Sequence, residues 1–143
     1  MVTEQLYYVG VKALITNAVG RLLLLRTQRP DNSYYWDLPG GRINKGEDVE
    51  SAFLREITEE TGLTDVSIGR QIAMEITPVQ IPISDTETGG LILAVFACSA
   101  ALEKDIVTEE GVSFEWCPVP EALTRLSKFS EECREKIKTA LEQ

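Results

Sequence analysis

Residues 41–63 read GRINKGEDVESAFLREITEETGL, and the reading of this stretch decides the rest of the chain. Val49, Ala52, Phe53 and Ile57 recur at i, i+3, i+4 and i+8, the spacing of one helical face. Gly62 is a left-handed stop residue with apolar Leu63 behind it, so the helix ends there. The acids fall on an unusual side. At about 100° per residue, Glu56, Glu59 and Glu60 project with Val49, Ala52 and Phe53 rather than opposite them. An exposed like-charge pair on a helix costs only about 0.2–0.5 kcal/mol. A desolvated carboxylate costs far more, unless it finds a counter-charge or takes up a proton. Arg55 precedes Glu59 by four residues, the weaker order for a helical ion pair, and one cation does not balance three anions. A solvated acidic face is the ordinary reading of such glutamates. Their coincidence with the apolar face points instead to a hard divalent cation, which takes oxygen ligands and is shared with substrate phosphates.

The pattern of the stretch is Gly41, five residues, Glu47, seven residues, then Arg55-Glu56-Ile57-Thr58-Glu59-Glu60-Thr61-Gly62-Leu63. It resembles the Nudix box, G-x5-E-x7-R-E-U-x-E-E-x-G-U with U aliphatic, at every defined position. The likeness extends to Trp36-Asp37-Leu38-Pro39-Gly40 before the box and to Glu115-Trp116 near the end. The resemblance to the Nudix hydrolase family, the MutT-like pyrophosphohydrolases, implies an enzyme that cuts a nucleoside diphosphate linked to another group. It implies an α+β fold, an α/β/α sandwich with a mixed sheet, in which the box forms a loop–helix–loop. It also implies that a backbone carbonyl at Gly40 or Gly41 completes the metal shell.

The whole chain of 143 residues is the size of one domain, 1–143, without internal repeat or linker. A net charge of −9 leaves no basic surplus for a nucleic-acid duplex, whose binding rests on phosphate neutralisation. A small phosphorylated substrate is not excluded, because a bound metal inverts the local charge. There is no histidine, which removes imidazole from metal binding and proton transfer and leaves oxygen ligands and hard metals, Mg²⁺ or Mn²⁺. Cys98, Cys117 and Cys133 are odd in number and far apart, with no zinc spacing and no disulfide framework. Reduced thiols and the absence of a signal-peptide pattern in MVTEQLYYVG lead us to expect a cytoplasmic protein. No apolar stretch reaches the length of a membrane span. A monomer or homodimer is expected.

Before the box, Tyr7 to Ile15 reads as a strand, Asn17 to Gly20 as a turn, and Arg21 to Arg26 as a strand buried on both faces. Together they predict a hairpin. Arg26 and Arg29, at its far end, are either solubilising charges or a guanidinium fork for substrate phosphate. In Tyr34-Tyr35-Trp36 the aromatics belong to a core or stack on a base, with Tyr34 the base-stacking candidate. Arg42 and Lys45 precede the helix, whose N-terminus itself favours an anion. After the box, Val66 to Met74 is strand-like, Pro78 to Gly90 a long loop, and Leu91 to Ser99 a buried strand that closes a hairpin across it. Glu103 to Gly111 reads as an acidic loop and Val112 to Val119 as a short strand. Pro120 opens a short helix to Leu126, and Ser130 caps a last helix to about Leu141.

These expectations assign roles. Glu56, Glu59 and Glu60 are the metal ligands, with Gly40 or Gly41 beside them. Arg55 orients a carboxylate, and Glu47 either supports the site or answers the helix dipole. The general base is Glu59, Glu60 or an acid outside the box. Glu110 is the outside candidate and Glu109 its alternate, since EGVSFEW resembles the segment that supplies a further acid in the nucleotide-sanitising branch. Arg26, Arg29, Arg42 and Tyr34 are the substrate-binding candidates. The leaving group is open among nucleoside triphosphates, ADP-ribose or sugars, and dinucleoside polyphosphates; Pro78 resembles a mark of the ADP-ribose-cleaving subset. The competing readings are a nucleotide-sensing domain without catalysis, which would lose box acids, and an isoprenoid diphosphate isomerase, which would need a reactive cysteine beside the site.

Overall fold

The computed structural model describes residues 4–142. Eight strands and three helices follow in the order β1 (Tyr7–Leu14), β2 (Leu22–Gln28), β3 (Tyr34–Asp37), β4 (Gly40–Arg42), α1 (Val49–Thr61), β5 (Val66–Ile76), β6 (Ile81–Pro82), β7 (Thr88–Ala100), β8 (Val112–Cys117), α2 (Val119–Arg125) and α3 (Glu131–Leu141). They form two sheets. The larger runs β4-β1-β7-β5, with β6 also paired to β7; the smaller runs β3-β2-β8. The β1–β7 pair is parallel and the others are antiparallel, so the larger sheet is mixed, as expected.

Two apolar clusters hold the layers together. On one side Phe53 and Ile57 of α1 pack with Val11, Ala13, Ile15, Leu23 and Leu63. On the other, Leu126, Phe129, Cys133 and Ile137, from α3 and the turn before it, pack with Leu14, Leu22, Leu24, Leu93 and Val95. The four leucines 22–25 are all essentially inaccessible, with Leu22 and Leu24 in one cluster and Leu23 in the other, which is why the run shows no alternation. Phe53 meets Phe96 edge to face, with ring centroids 6.1 Å apart.

The helix ends follow the sequence. The Asp48 side chain accepts the Ser51 N–H at the start of α1, and Gly62 closes it at φ 77° with its N–H on the Thr58 carbonyl. Ser130 caps α3 by accepting the Cys133 N–H.

Three expectations are corrected. The β1–β2 hairpin does not form. The segments touch through the Thr16–Leu22 bridge and the Leu23 N–H to the Ile15 carbonyl, and then β2 leaves for the other sheet. The edges of β1 are already taken by β4 and β7, so β2 has no free ladder to join. The Pro78–Gly90 stretch is not all loop: Ile81–Pro82 pair with Thr88–Gly89, and β7 begins three residues earlier than its apolar run. Val49 is not part of the core. It stands 44% exposed in the first turn beside solvated Asp48 and Glu50, while Thr61 extends the buried face at the other end by donating to the Ile57 carbonyl.

Because Phe53 carries α1 onto the sheet, Phe53→Ala is expected to cost about 3–5 kcal/mol through lost burial and a residual cavity. Equilibrium denaturation in urea measures it.

Candidate active site

The structure places Gly40 and Gly41 in β4, against the acidic end of α1. An added Cβ on Gly41 would lie 2.4 Å from the Glu56 carboxylate carbon and from its Oε2. Only a residue without a side chain lets that carboxylate sit against the backbone. Gly40 has φ 137°, and a Cβ there would meet the Val11 carbonyl oxygen at 1.9 Å. Its N–H donates to Glu60 Oε1 at 2.6 Å. Two carboxylates therefore share two adjacent glycines.

Arg55 knits the box together. Its Nε and Nη2 grip Glu47 at 2.7 and 2.8 Å, a two-point pairing that suits the guanidinium plane. Nη2 also reaches the Arg42 carbonyl, and Nη1 reaches Glu56 at 2.9 Å and Glu59 Oε2 at 3.3 Å. Glu47 accepts the Asn44 N–H as well, so it fixes the loop in front of the helix. The pairing holds the Glu47 carboxyl down at about 2, chiefly through the Arg55 hydrogen bonds and then the Asn44 N–H. Glu47 holds the Arg55 guanidinium charged in return.

Glu60 behaves in the opposite way. Burial pushes its carboxyl up to about 7; Glu56 and Asp37 add to the rise, while Lys12 and the Gly40 N–H oppose it. Glu60 is a carboxylate held from water with too little positive charge around it. Glu59, by contrast, is half exposed and turned to Arg55. The three glutamates do not close on one point: among the described residues no three acidic or thiol side chains are gathered around a common centre.

The remaining candidates are scattered. Arg26 lies over the Tyr34 ring, 3.7 Å from its centroid, and 5.9 Å from that of Trp36. Arg29 donates to the Tyr34 carbonyl and lies over Tyr35, which stiffens the β2–β3 turn. Arg42 lies over Tyr8. Glu110 is exposed in the turn closed by the Val112 N–H to the Glu109 carbonyl, and no bond joins it to α1 among the described residues. The loop before it does reach the helix, through the Val107 N–H to the Thr61 carbonyl.

The sequence reading missed a charged cluster behind Glu60. The Lys12 ammonium, buried in β1, donates to Asp37 Oδ2 at 2.9 Å, and Lys128 reaches the same oxygen from the α2–α3 turn. Burial drives the Lys12 amine down, but Asp37 more than offsets it and holds the amine above its usual range. A lysine inside the apolar strand YYVGVKALI was the available signal, since such a residue needs an acid opposite it. Nothing in the sequence around Lys128 marks it. A second group joins Arg125 to Glu115 and Glu121 and lays its guanidinium over Trp36 at 4.5 Å.

Comparison with known proteins agrees with this geometry. Residues 6–137 match the NUDIX domain family. The chain is 30% identical over 123 residues to a MutT-like protein of Streptomyces ambofaciens, covering 86% of this chain and 71% of that one. It is 45% identical over 59 residues to an RNA pyrophosphohydrolase of Caulobacter vibrioides, a match that spans only 41% of this chain and 34% of that protein. The crystal structure of a MutT protein from Methanosarcina mazei Go1 superposes with a TM-score of 0.71 at 28% identity, covering 96% of this chain and 95% of that one.

Glu60 gives a pH test. Its carboxyl rises from 4.5 to about 7 on folding, so the folded protein holds a proton more tightly than the unfolded chain. That contribution to stability is present below 4.5 and is lost as pH rises through about 7. In chelator-treated protein, Glu60→Gln should melt with the parent at acid pH and outlast it by roughly several degrees at pH 8. Thermal melts across pH read the difference.

Proposed function

The chain belongs to the NUDIX family, and from that premise we propose that it hydrolyses the pyrophosphate bond of a nucleoside diphosphate linked to another group, with Mg²⁺ or Mn²⁺. As a Nudix pyrophosphohydrolase it acts on nucleoside diphosphate derivatives. The observation that carries the metal reading is Glu60, half-buried, under-compensated and lying with Glu56 against two glycines. The donor set is all oxygen, which suits a hard cation. Glu56, Glu60 and Glu59 would hold it, with a carbonyl of Gly40 or Gly41. When bound, such an ion supplies positive charge to the phosphates and eases deprotonation of water.

The chain's own residues do the rest. Arg55 holds Glu56 and Glu59 in place while Glu47 holds Arg55. Glu59 or Glu60 takes the proton from the attacking water. Glu110 remains the candidate from outside the box. Arg26 and Tyr34 offer a cation and a ring on one edge, fitted to a nucleotide's phosphate and base; Arg29 lies beside them over Tyr35, and Arg42 stands apart on β4 over Tyr8.

The alternatives are weaker on physical grounds. A sensor that had given up catalysis would not need the full set of box acids. An isomerase would need a thiolate, yet burial pushes the Cys98 thiol up to about 12 and raises that of Cys117. No helix among the described residues is long and apolar enough to cross a membrane. The substrate is small; the base and leaving group are left to experiment.

Glu59→Gln removes one charge at constant shape. It should lower kcat by about 10²-fold or more, with the melting temperature within a few degrees of the parent. A nucleotide panel covering triphosphates, ADP-ribose and dinucleoside polyphosphates, read as released phosphate after phosphatase treatment, tests both the activity and the leaving group. Calorimetric titration with Mn²⁺, alone and with nucleotide, should show binding that Glu56→Gln weakens.

A further inference from the structure

Lys12 occupies the middle of β1, a strand flanked on both sides, where an apolar residue would serve packing at lower cost. Its residue is only 7% exposed. An ammonium has three donors, and all three are spent on one short stretch: Asp37 Oδ2 at 2.9 Å, the Gly40 carbonyl at 3.2 Å and the Leu38 carbonyl at 3.4 Å. Asp37 closes the stretch on itself, its Oδ1 accepting the Leu38 N–H at 2.7 Å. The stretch matters because of what it joins. Asp37 ends β3 in the smaller sheet, Gly40 starts β4 in the larger one, and only Leu38 and Pro39 lie between. At its far end the Gly40 N–H meets Glu60 Oε1 at 2.6 Å. The Pro39–Gly40 peptide that carries this N–H is pinned at its carbonyl by the Ala13 N–H at 2.8 Å, and Lys12 holds the carbonyls on either side of it. Lys128 does not duplicate the clamp: it reaches Asp37 alone, from a turn, with a partly exposed side chain.

We propose that Lys12 is a positioning residue for hydrolysis: by gripping Asp37, Leu38 and Gly40 together it fixes the Gly40 peptide, and through it the place where the Glu60 carboxylate stands. This rests on the function proposed above, but its first readout does not require turnover. Without the ammonium the Ala13 N–H still holds the Pro39 carbonyl in the middle of the link, but the Leu38 and Gly40 carbonyls on either side of it lose their common side-chain anchor. The Gly40 N–H then drifts from Glu60, and the Gly40 carbonyl loses its aim. The substrate-binding candidates Arg26, on β2, and Tyr34, at the far end of β3 from Asp37, make no bond to Lys12. The cost therefore falls on kcat rather than on KM.

The test uses Lys12→Met paired with Asp37→Asn, which removes both buried charges and leaves the partly exposed Lys128 to solvent, with Lys12→Met by itself, in which Asp37 keeps Lys128, as the companion. In the ¹H–¹⁵N spectrum of the whole chain the Gly40 amide should lie at low field in the parent, as a short bond to a carboxylate requires. Glu60→Gln marks the position it takes when the acceptor is neutral. In the double variant the Gly40 amide should move to or past that mark and exchange about 10-fold faster. Its kcat should fall by about 10-fold to 10²-fold, with KM within about twofold, as small misplacements of catalytic groups do. A folded double variant whose Gly40 amide stays at the parental shift overturns the clamp. One whose amide moves while kcat holds overturns its part in the reaction. If the parent hydrolyses nothing on the nucleotide panel, the proposed function fails, and the amide shift still decides whether Lys12 sets Gly40.

Discussion

The acidic end of α1 lies against a backbone that has no side chains to keep it away. Gly41 leaves room for the Glu56 carboxylate, and Gly40 turns its N–H onto Glu60. Everything nearby serves or answers that contact. Phe53 and Ile57 press the helix onto the sheet, Arg55 ties the entering loop to the helix, and Lys12 holds the strand link from behind. The contact also creates the tension in the site: two carboxylates share a partly dry corner, and the Glu60 carboxyl rises toward neutrality as a result.

Charge in this molecule is managed in two different ways. Glu47 and Arg55 satisfy one another at the surface, and the carboxylate there is held ionised far below its usual range. Lys12 and Asp37 do the same in the interior, where an unpaired member would be costly. Glu60 has no such dedicated partner. A hydrolase that must gather positive charge around phosphates needs a place that is short of it beforehand. The same imbalance that weakens the metal-free fold is what a cation would relieve.

The second sheet has a separate role. The strands β2 and β3 carry Arg26, Arg29, Tyr34 and Trp36, and their guanidinium–ring stacks hold the aromatic edge in order. Arg125, held by Glu115 and Glu121, closes the stack over Trp36 from α2. The arginine–aromatic edge and the glycines that face the acids thus belong to different sheets, joined by two residues at Leu38 and Pro39.

The sequence by itself determined the central helix and its Gly62 stop, the mixed α+β architecture and the family, because these depend on local periodicity, a left-handed cap and a motif of fixed spacing. It also placed Arg55 and the three glutamates in one neighbourhood, since residues three and four apart on a helix are neighbours whatever surrounds them. Tertiary structure alone decided that β2 abandons β1, because which edges of β1 are free depends on β4 and β7, both distant in the chain. It decided that Glu60 is drier than Glu59, a distinction helical spacing cannot make, since burial is set by what packs on the helix. And it brought Lys12, Asp37 and Lys128 together across three separate segments, where no local pattern links an ammonium to the carboxylate that keeps it charged.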